Sequence, residues 1–351
     1  MLVGGQGTRL RPLTVSTPKP MLPAAGVPFL THQLARARAA GVAHVVLATS
    51  YRPEVFTGHF GDGSTLGLAI DYVTEAEPLG TGGAIRNVAD RLRSGPDDPV
   101  LILNGDILSG HDIGAQVRLH EQRGADVTLH LTEVADARAF GCVPTDAGGR
   151  VTAFCEKMPQ PVTNRINAGC YVFRRSVIDA VPAGRVVSVE RETFPGLLAA
   201  GATVLGYVDT AYWLDLGTPD AYVTGCCDLV LGRAPSPVVE RTGERLVLGG
   251  AGVAPDAVLT GGTTVGAGAT IGAGATLDAS VVLDGARVGA GARLRRSVVG
   301  REAVIGDGVV LDEAVVGDGA RVEAGNELRA GARVWAGAAL APGAVRFSSD
   351  R

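Results

Sequence analysis

The sequence predicts two architectures in series: an α/β domain on a mostly parallel sheet, then a parallel β-helix of hexapeptide repeats. Three observations predict it. Strand-length apolar segments alternate with helix-period segments through the first 231 residues. Aliphatic residues then recur with a step of six from Val253 to Leu340. Glycine, 50 of 351 residues, concentrates in that last stretch, while aromatics are only 5%. The expected boundaries are 1–231 for the α/β domain, 232–250 for a linker carrying Pro235 and Pro237, and 251–351 for the β-helix.

The chain opens on a short apolar strand, Met1 to Val3, followed by Gly4 to Lys19: G-G-Q-G-T-R-L-R-P-L-T-V-S-T-P-K. Glycines let a backbone approach a ligand and turn its N–H groups toward phosphate oxygens. Arg9, Arg11 and Lys19 supply cationic charge, and arginine can bind phosphate bidentately. Leu10 stands where a dinucleotide fingerprint needs its third glycine, and no Gly-Lys-Ser/Thr makes a P-loop.

Pro28 to Ala40 reads as a helix, with proline in its first turn and Gly41 as its stop. His44 to Ala48 and Leu68 to Val73 read as buried strands. Helical spacing returns over Ala84 to Leu92, and Val100 to Leu103 is a strand ending in Asn104-Gly105-Asp106. Val127, Leu129 and Leu131 alternate as a strand; Val151 to Cys155 and Ile166 to Phe173 are further strand candidates. Pro219 to Leu231 reads as a closing helix. In such a sheet, ligands sit at the carboxyl ends of the strands, where the opening loop and Asn104-Gly105-Asp106 both fall.

The repeat has aliphatic anchors at 253, 259, 265, 271 and 277, then 282, 288 and 294. They continue at 299, 305, 311, 316, 322, 328, 334 and 340, with a five-residue slip after Leu277, Leu294 and Leu311. Each slip carries a Val-Val pair. One inward apolar residue per face, with small residues turning the corners, gives about five coils of ~18 residues each.

A net charge of −4 provides no general basic field for nucleic acid. Five cysteines without a C-x-x-C suggest neither a disulfide framework nor a zinc site, but buried thiols in a reducing compartment. No apolar run approaches the ~18 residues of a membrane span, and the N-terminus lacks the features of a signal peptide. The expectation is a cytoplasmic protein.

Asp106 and Asp215, the latter in Trp213-Leu214-Asp215-Leu216-Gly217-Thr218-Pro219, are the candidate ligands for Mg²⁺. This ion favours carboxylates together with substrate phosphates. Their convergence is a matter for the fold.

With Gly4–Lys19 and these motifs in place, the chain resembles the sugar-nucleotide pyrophosphorylases, the sugar-1-phosphate nucleotidylyltransferases, over nearly its whole length. The resemblance implies a Rossmann-like nucleotidyltransferase domain and a left-handed β-helix. It implies that Gly4, Gly5, Gly7, Thr8, Arg9 and Asn104 bind the nucleotide. Glu77-Pro78-Leu79-Gly80-Thr81-Gly82-Gly83-Ala84 looks like the base-and-ribose loop, with Gly80 and Thr81 against the nucleotide. Phe140-Gly141 looks like the backbone contact to the hexose. Glu156-Lys157 resembles the family's Glu-Lys-Pro motif, in which the carboxylate binds sugar hydroxyls and the lysine the sugar phosphate. Met158 departs from that motif, and the proline returns as Pro159. Asn167-Ala168-Gly169 resembles the strand lining the sugar pocket.

Val189-Glu190-Arg191-Glu192-Thr193-Phe194-Pro195 follows the pattern of the mannose-1-phosphate guanylyltransferase branch, although Glu190 and Glu192 equally suit solvated charges at a helix start. That branch implies GTP and mannose 1-phosphate as substrates. It also implies in-line attack on the α-phosphorus with Arg9, Lys19 and Lys157 in catalytic roles, and a homo-oligomer formed through the β-helix. A glucose-1-phosphate enzyme using UTP, dTTP or ATP, and a non-catalytic sugar-nucleotide-binding subunit, are the alternatives. An acyltransferase β-helix would need a histidine base, and all six histidines lie at or before His130. Relatives carry several more residues before the glycines; the expectation is an upstream start or a truncated first strand that weakens anchoring of the loop.

Overall fold

The computed structural model describes residues 1–155, 157–239 and 243–346. The chain forms two compact units, residues 1–5 with 33–213 and residues 6–32 with 214–351.

In the first unit the longer strands are β1 (His44–Thr49), β2 (Ala69–Thr74), β3 (Pro99–Leu103), β4 (Val127–Glu133), β5 (Arg165–Arg174) and β6 (Val204–Asp209). β1 runs parallel to β2, and β4 parallel to β6. Leu2 makes parallel bridges to Ala48 and Asn104, which places the opening residues between β1 and the end of β3. Only β5 runs against its neighbours, β3 and β4. The sheet is therefore mostly parallel, as predicted. Every β4 residue except Glu133 is buried, the pattern of a strand covered on both faces. The opening residues are hydrogen-bonded on both sides. Leu2 N donates to Leu103 O at 2.9 Å, Val3 N to Ala48 O at 3.0 Å, and Gly105 N to Leu2 O at 2.8 Å.

The helices are α1 (Phe29–Ala39), α2 (Pro53–Phe60), α3 (Gly80–Asn87), α4 (Ile113–Gln122), α5 (Arg175–Asp179), α6 (Phe194–Ala199) and α7 (Pro219–Leu231). Asp112 caps α4 by accepting from Ala115 N at 2.9 Å, satisfying one of the donors a helix start leaves open. At the start of α6, Phe194 stacks on Phe173 and Phe154 and meets Tyr171 edge-on, packing α6 against the second half of β5.

Two expectations need correction. The helix expected from Ala84 starts earlier, at Gly80, and gives way to a 3-10 turn over Ala89–Arg91. Val151 to Cys155 forms isolated bridges, Cys142 with Cys155 and Thr145 with Val151, not a continuous strand. Pro144 lies in the partner segment between the bridged residues, and proline brings no N–H to a ladder.

In the second unit, α7 has the predicted span. Thr218 caps it, and Gly232, at φ 72°, ends it. The solenoid that follows stacks its strands in three parallel sheets of six, six and five strands among the described residues. This bears out the parallel β-helix the repeats predict and is consistent with the left-handed one the resemblance implies. Its first strand, Arg245–Val247, falls within the segment read as linker and pairs with Thr263–Val265. The anchors from Leu259 to Val334 form one continuous core, with Val253 and Leu340 packed at its two ends.

The slip is structural: Leu277 pairs with Leu294 and Leu294 with Leu311, so the shortened coils stay in register. At the shortened corners Ala279, Arg296 and Glu313 adopt positive φ. Buried hydroxyls replace lost backbone partners there: Ser280 Oγ accepts from Ser297 N at 3.2 Å, and Ser297 Oγ from Ala314 N at 3.1 Å. Among the described residues no helix is long and apolar enough to cross a membrane, and the five cysteines are free thiols.

Candidate active site

In the first unit the turn after β3 is held from several sides. Asn104 N donates to Gly169 O at 2.9 Å. Gln33, on α1, donates through Nε2 to Asn104 O at 2.9 Å and Ile107 O at 2.7 Å, stapling the turn that carries the half-buried Asp106. A Cβ on Gly105 would stand 2.6 Å from Leu2 O, so only glycine lets the turn lie against the opening strand. Asn104 Oδ1 is buried and has no hydrogen-bond partner among the described residues. Gly4 lies against Ser50, whose Oγ donates to Gly4 O, while Gly5 borders open space.

Gly80 and Thr81 form the first turn of α3. Gly80 has φ +69°, and a Cβ there would stand 2.7 Å from Val187 O. Gly82 N donates to Val187 O at 2.8 Å, and Thr81 Oγ1 accepts from Val189 N at 3.0 Å. The glycine-rich segment is thereby joined to the Val189–Thr193 turn, a π-helical turn that Ser188 caps. Burial pushes the nearby Glu75 carboxyl above its ordinary range, opposed by the Leu79 N–H.

A cavity of about 40 Å³ is lined by Gly141, Cys155, Asn167 and Glu190, with Phe140 and Phe154 among its apolar walls. Asn167 Nδ2 donates to Glu190 Oε1 at 2.8 Å and to Tyr171 Oη at 2.9 Å, and its Oδ1 accepts from Gly169 N at 3.1 Å. Burial holds the Tyr171 phenol well above its ordinary range, so it stays neutral. Gly141 N donates to Ala137 O at 3.2 Å. Lys157 is exposed, and Glu156 lies outside the described residues. Trp213 donates through its indole N–H to Ala168 O at 3.0 Å and meets Phe140 edge-on, backing that wall residue.

In the second unit, residues far apart in sequence bring three charges together. Gly7, at φ 60°, starts the 3-10 turn Thr8–Leu10. Arg9 Nη2 lies 4.0 Å from Asp215 Oδ2 and Lys19 Nζ 3.6 Å from Asp215 Oδ1. Lys19 is buried, with its side chain 10% exposed, against 66% for Arg9 and 28% for Asp215. The carboxylate offsets the cost of burying the lysine ammonium and leaves the arginine reaching into solvent.

Such a cluster presents two cations and one hard oxygen donor, a composition suited to a polyphosphate with a divalent cation. Among the described residues no group of three or more His, Cys, Asp or Glu is placed to hold a metal ion. A set of one or two carboxylates fits Mg²⁺, which completes its shell with phosphate oxygens and water.

Residues 1–230 match the nucleotidyl transferase family, and residues 242–332 match the GMPPB C-terminal domain. The chain belongs to the nucleotidyl transferase family. It is 60% identical over 268 residues to a mannose-1-phosphate guanylyltransferase of Mycobacterium tuberculosis, an alignment covering 76% of this chain and 74% of the relative. It is 39% identical over 227 residues to mannose-1-phosphate guanylyltransferase 1 of Arabidopsis thaliana, covering 64% of this chain and 62% of that one. Among solved structures, HddC from Yersinia pseudotuberculosis complexed with GMP-PN superposes with a TM-score of 0.55 at 28% identity, covering 64% of this chain and 96% of that one. Members of this family generally use a divalent metal, and the chain is a nucleotidyltransferase whose substrates are a nucleoside triphosphate and a sugar phosphate.

Sequence reasoning missed Gln33, which carries no motif. It also missed His111 and, on β4, His130, whose rings stack 3.8 Å apart. Burial drives both imidazoles down to about 3, aided at His111 by His130 and at both by Arg36. Glu190 had a signal, the Glu-Arg-Glu-Thr-Phe-Pro run, but residue type alone did not separate it from a surface charge.

Proposed function

We propose that this nucleotidyltransferase is a mannose-1-phosphate guanylyltransferase, converting GTP and mannose 1-phosphate to GDP-mannose and pyrophosphate. The observation that carries the reading is the 60% identity, over 268 residues, with the mycobacterial guanylyltransferase. Glu190, from the run characteristic of that branch, supports it by lining the small cavity with Asn167 and Gly141.

In the proposed mechanism a phosphate oxygen of mannose 1-phosphate attacks the α-phosphorus of GTP in line. A new P–O bond forms as the bond to the β-phosphate oxygen breaks. No covalent enzyme intermediate is needed, so catalysis rests on position and charge. Arg9 and Lys19 hold the triphosphate and then the departing pyrophosphate. Asp215 keeps both cations placed before the nucleotide arrives. Gly4, Gly5, Gly7 and Thr8 bring backbone N–H groups to the phosphates; Gly80, Thr81 and Asn104 contact the nucleoside. Lys157 neutralises the attacking phosphate, and Asn167, Gly141 and Glu156 hold the sugar. Mg²⁺, held by Asp106 and Asp215, would add charge neutralisation at the phosphates.

Residues 1–231 act as the catalytic domain, a division the family match ending at 230 supports. The solenoid domain, expected over 251–351 after a 232–250 linker, takes in the strand Arg245–Val247 as well, in keeping with a family match starting at 242. The free thiols support a cytoplasmic protein. The solenoid supplies the surface for a homo-oligomer.

Pyrophosphate release with Mg²⁺, measured for GTP, UTP, dTTP and ATP against mannose 1-phosphate and glucose 1-phosphate, tests the reading. GTP with mannose 1-phosphate is expected to lead. Turnover led by another pair would move the specificity, and none at all would favour a sugar-nucleotide-binding subunit.

A further inference from the structure

A loop that binds phosphate through its N–H groups must keep its carbonyl oxygens occupied elsewhere, because a free carbonyl repels the anion. In the second unit every carbonyl from Gly7 to Pro12 has a donor. The loop itself satisfies four: Gly7 O accepts from Leu10 N and Thr14 Oγ1, Thr8 O from Arg11 N, Leu10 O from Leu13 N, and Pro12 O from Val15 N. The remaining two, Arg9 O and Arg11 O, accept from a single atom of the solenoid, Arg333 Nη1, at 2.9 and 2.7 Å.

Two further solenoid residues reach the same loop. Arg301 Nη1 donates to Thr17 Oγ1 at 3.1 Å, and Asp318 Oδ2 accepts from Ser16 Oγ at 2.8 Å. A Cβ on Gly317 would stand 3.1 Å from the Pro12 Cβ, so the loop lies directly on the solenoid there.

We propose that Arg333 is a positioning residue for nucleotidyl transfer: it fixes the signature loop by holding the carbonyls of Arg9 and Arg11, so that solenoid and phosphate loop act as one piece. The inference rests on the loop's proposed role with the nucleoside triphosphate. Arg9 is the point of coupling. Its side chain belongs to the Asp215 cluster and its carbonyl to Arg333. A guanidinium suits the task because it is always charged and its N–H groups form a rigid planar fork. Its bonds to neutral carbonyls are charge-assisted.

The test uses the full-length protein carrying Arg333→Ala, Arg333→Lys or, on a solenoid face away from the loop, Arg293→Ala. Kinetics are measured with whichever substrate pair the wild type turns over. Two charge-assisted hydrogen bonds in a partly solvated site correspond to a rise of roughly tenfold in KM for the nucleoside triphosphate. The KM for the sugar phosphate stays unchanged. Arg333→Lys, which keeps a charged donor, recovers most of the loss, and Arg293→Ala matches wild type.

A purely structural role would lower the active fraction, and so the apparent kcat, without moving either KM. Amide hydrogen exchange over residues 8–15, measured without substrate, is expected to quicken in Arg333→Ala and recover in Arg333→Lys. This readout stands whatever the substrates prove to be. Unchanged exchange over 8–15 in folded Arg333→Ala, or a fall in kcat alone, overturns the inference. If Arg333→Ala does not fold, the same comparison is made with Arg333→Gln, which keeps a neutral donor and is expected to fall between alanine and lysine. A glutamine variant matching wild type in KM and exchange overturns it equally.

Discussion

Replacing Asp215 by asparagine keeps the side chain's shape and removes one negative charge from beside Lys19 and Arg9. Two unit charges 4 Å apart interact by about 1 kcal/mol in water and about 4 kcal/mol at an effective dielectric of 20. Lys19 is nearly enclosed, and its ammonium lies 3.6 Å from the carboxylate, which puts that pair at about 2 to 3 kcal/mol. The Arg9 pair is 4.0 Å apart with the arginine side chain 66% exposed, so it contributes no more than about 1 kcal/mol.

If Asp215 only held the two cations, its loss would weaken nucleotide binding with or without metal. If it is also a metal ligand, the consequences divide. Without metal, asparagine removes a charge that repels the triphosphate, so binding in chelator is expected to hold or tighten by up to about fivefold. Turnover with Mg²⁺ is expected to fall about 100-fold or more. Calorimetric titration in chelator and pyrophosphate release across a Mg²⁺ series read the two arms. Turnover within about threefold of wild type, or binding in chelator that falls in step with turnover, would refute the reasoning.

Glu190→Gln keeps a hydrogen-bonding oxygen toward Asn167 but removes the charge; steady-state kinetics are expected to show a roughly tenfold higher KM for the sugar phosphate and an unchanged nucleotide KM. Gly80→Ala forces a Cβ against Val187 O at positive φ, and a cost of about 1 to 3 kcal/mol is expected in denaturant unfolding. Leu311→Ala empties a fully buried solenoid position, with an expected loss of about 3 kcal/mol in the same assay. His111, His120 and His130 titrate when folded at about 3, 4 and 3, against 6.5 when unfolded. The unfolded chain therefore binds more protons on acidification, so their contribution is complete above pH 6.5 and drains as pH falls toward 4 and then 3. Urea midpoints measured from pH 7 to pH 4 should fall, less steeply in His130→Gln.

The solenoid was legible residue by residue because one period fixes which side chains face inward, and each slip left a countable mark. The buried column of Ala269, Ala275, Ala286, Ala292 and Ala303 beside the anchors was not legible, since alanine also suits corners and surfaces. In the α/β unit, strands with continuous apolar runs were readable. Val151–Cys155 misled because its apolar residues reflect pocket walls and isolated bridges. The start of α3 was missed because Gly80, Gly82 and Gly83 are poor helix formers. They are needed here because the carbonyls of Val187 and Arg185 lie close against Gly80 and Gly83, and the Val187 side chain against Gly82, contacts distant in sequence.

Of the candidate site, charge and motif singled out Arg9, Lys19 and Asp215, but only the fold shows their charged groups within 4.0 Å. Gln33 and Arg333 act through backbone carbonyls distant in sequence, and nothing in their own surroundings marks them. Local pattern identifies groups that meet substrate more readily than groups that hold the backbone for them.

A single competition experiment tests the central claim most directly. GTP, UTP, dTTP and ATP at equal concentration are offered with mannose 1-phosphate and glucose 1-phosphate together, with Mg²⁺, and the nucleotide sugars formed are separated and identified. The account predicts GDP-mannose as the dominant product, its formation abolished by Lys19→Met in a folded protein. A different dominant nucleotide sugar, or GDP-mannose formed undiminished by Lys19→Met, would contradict it.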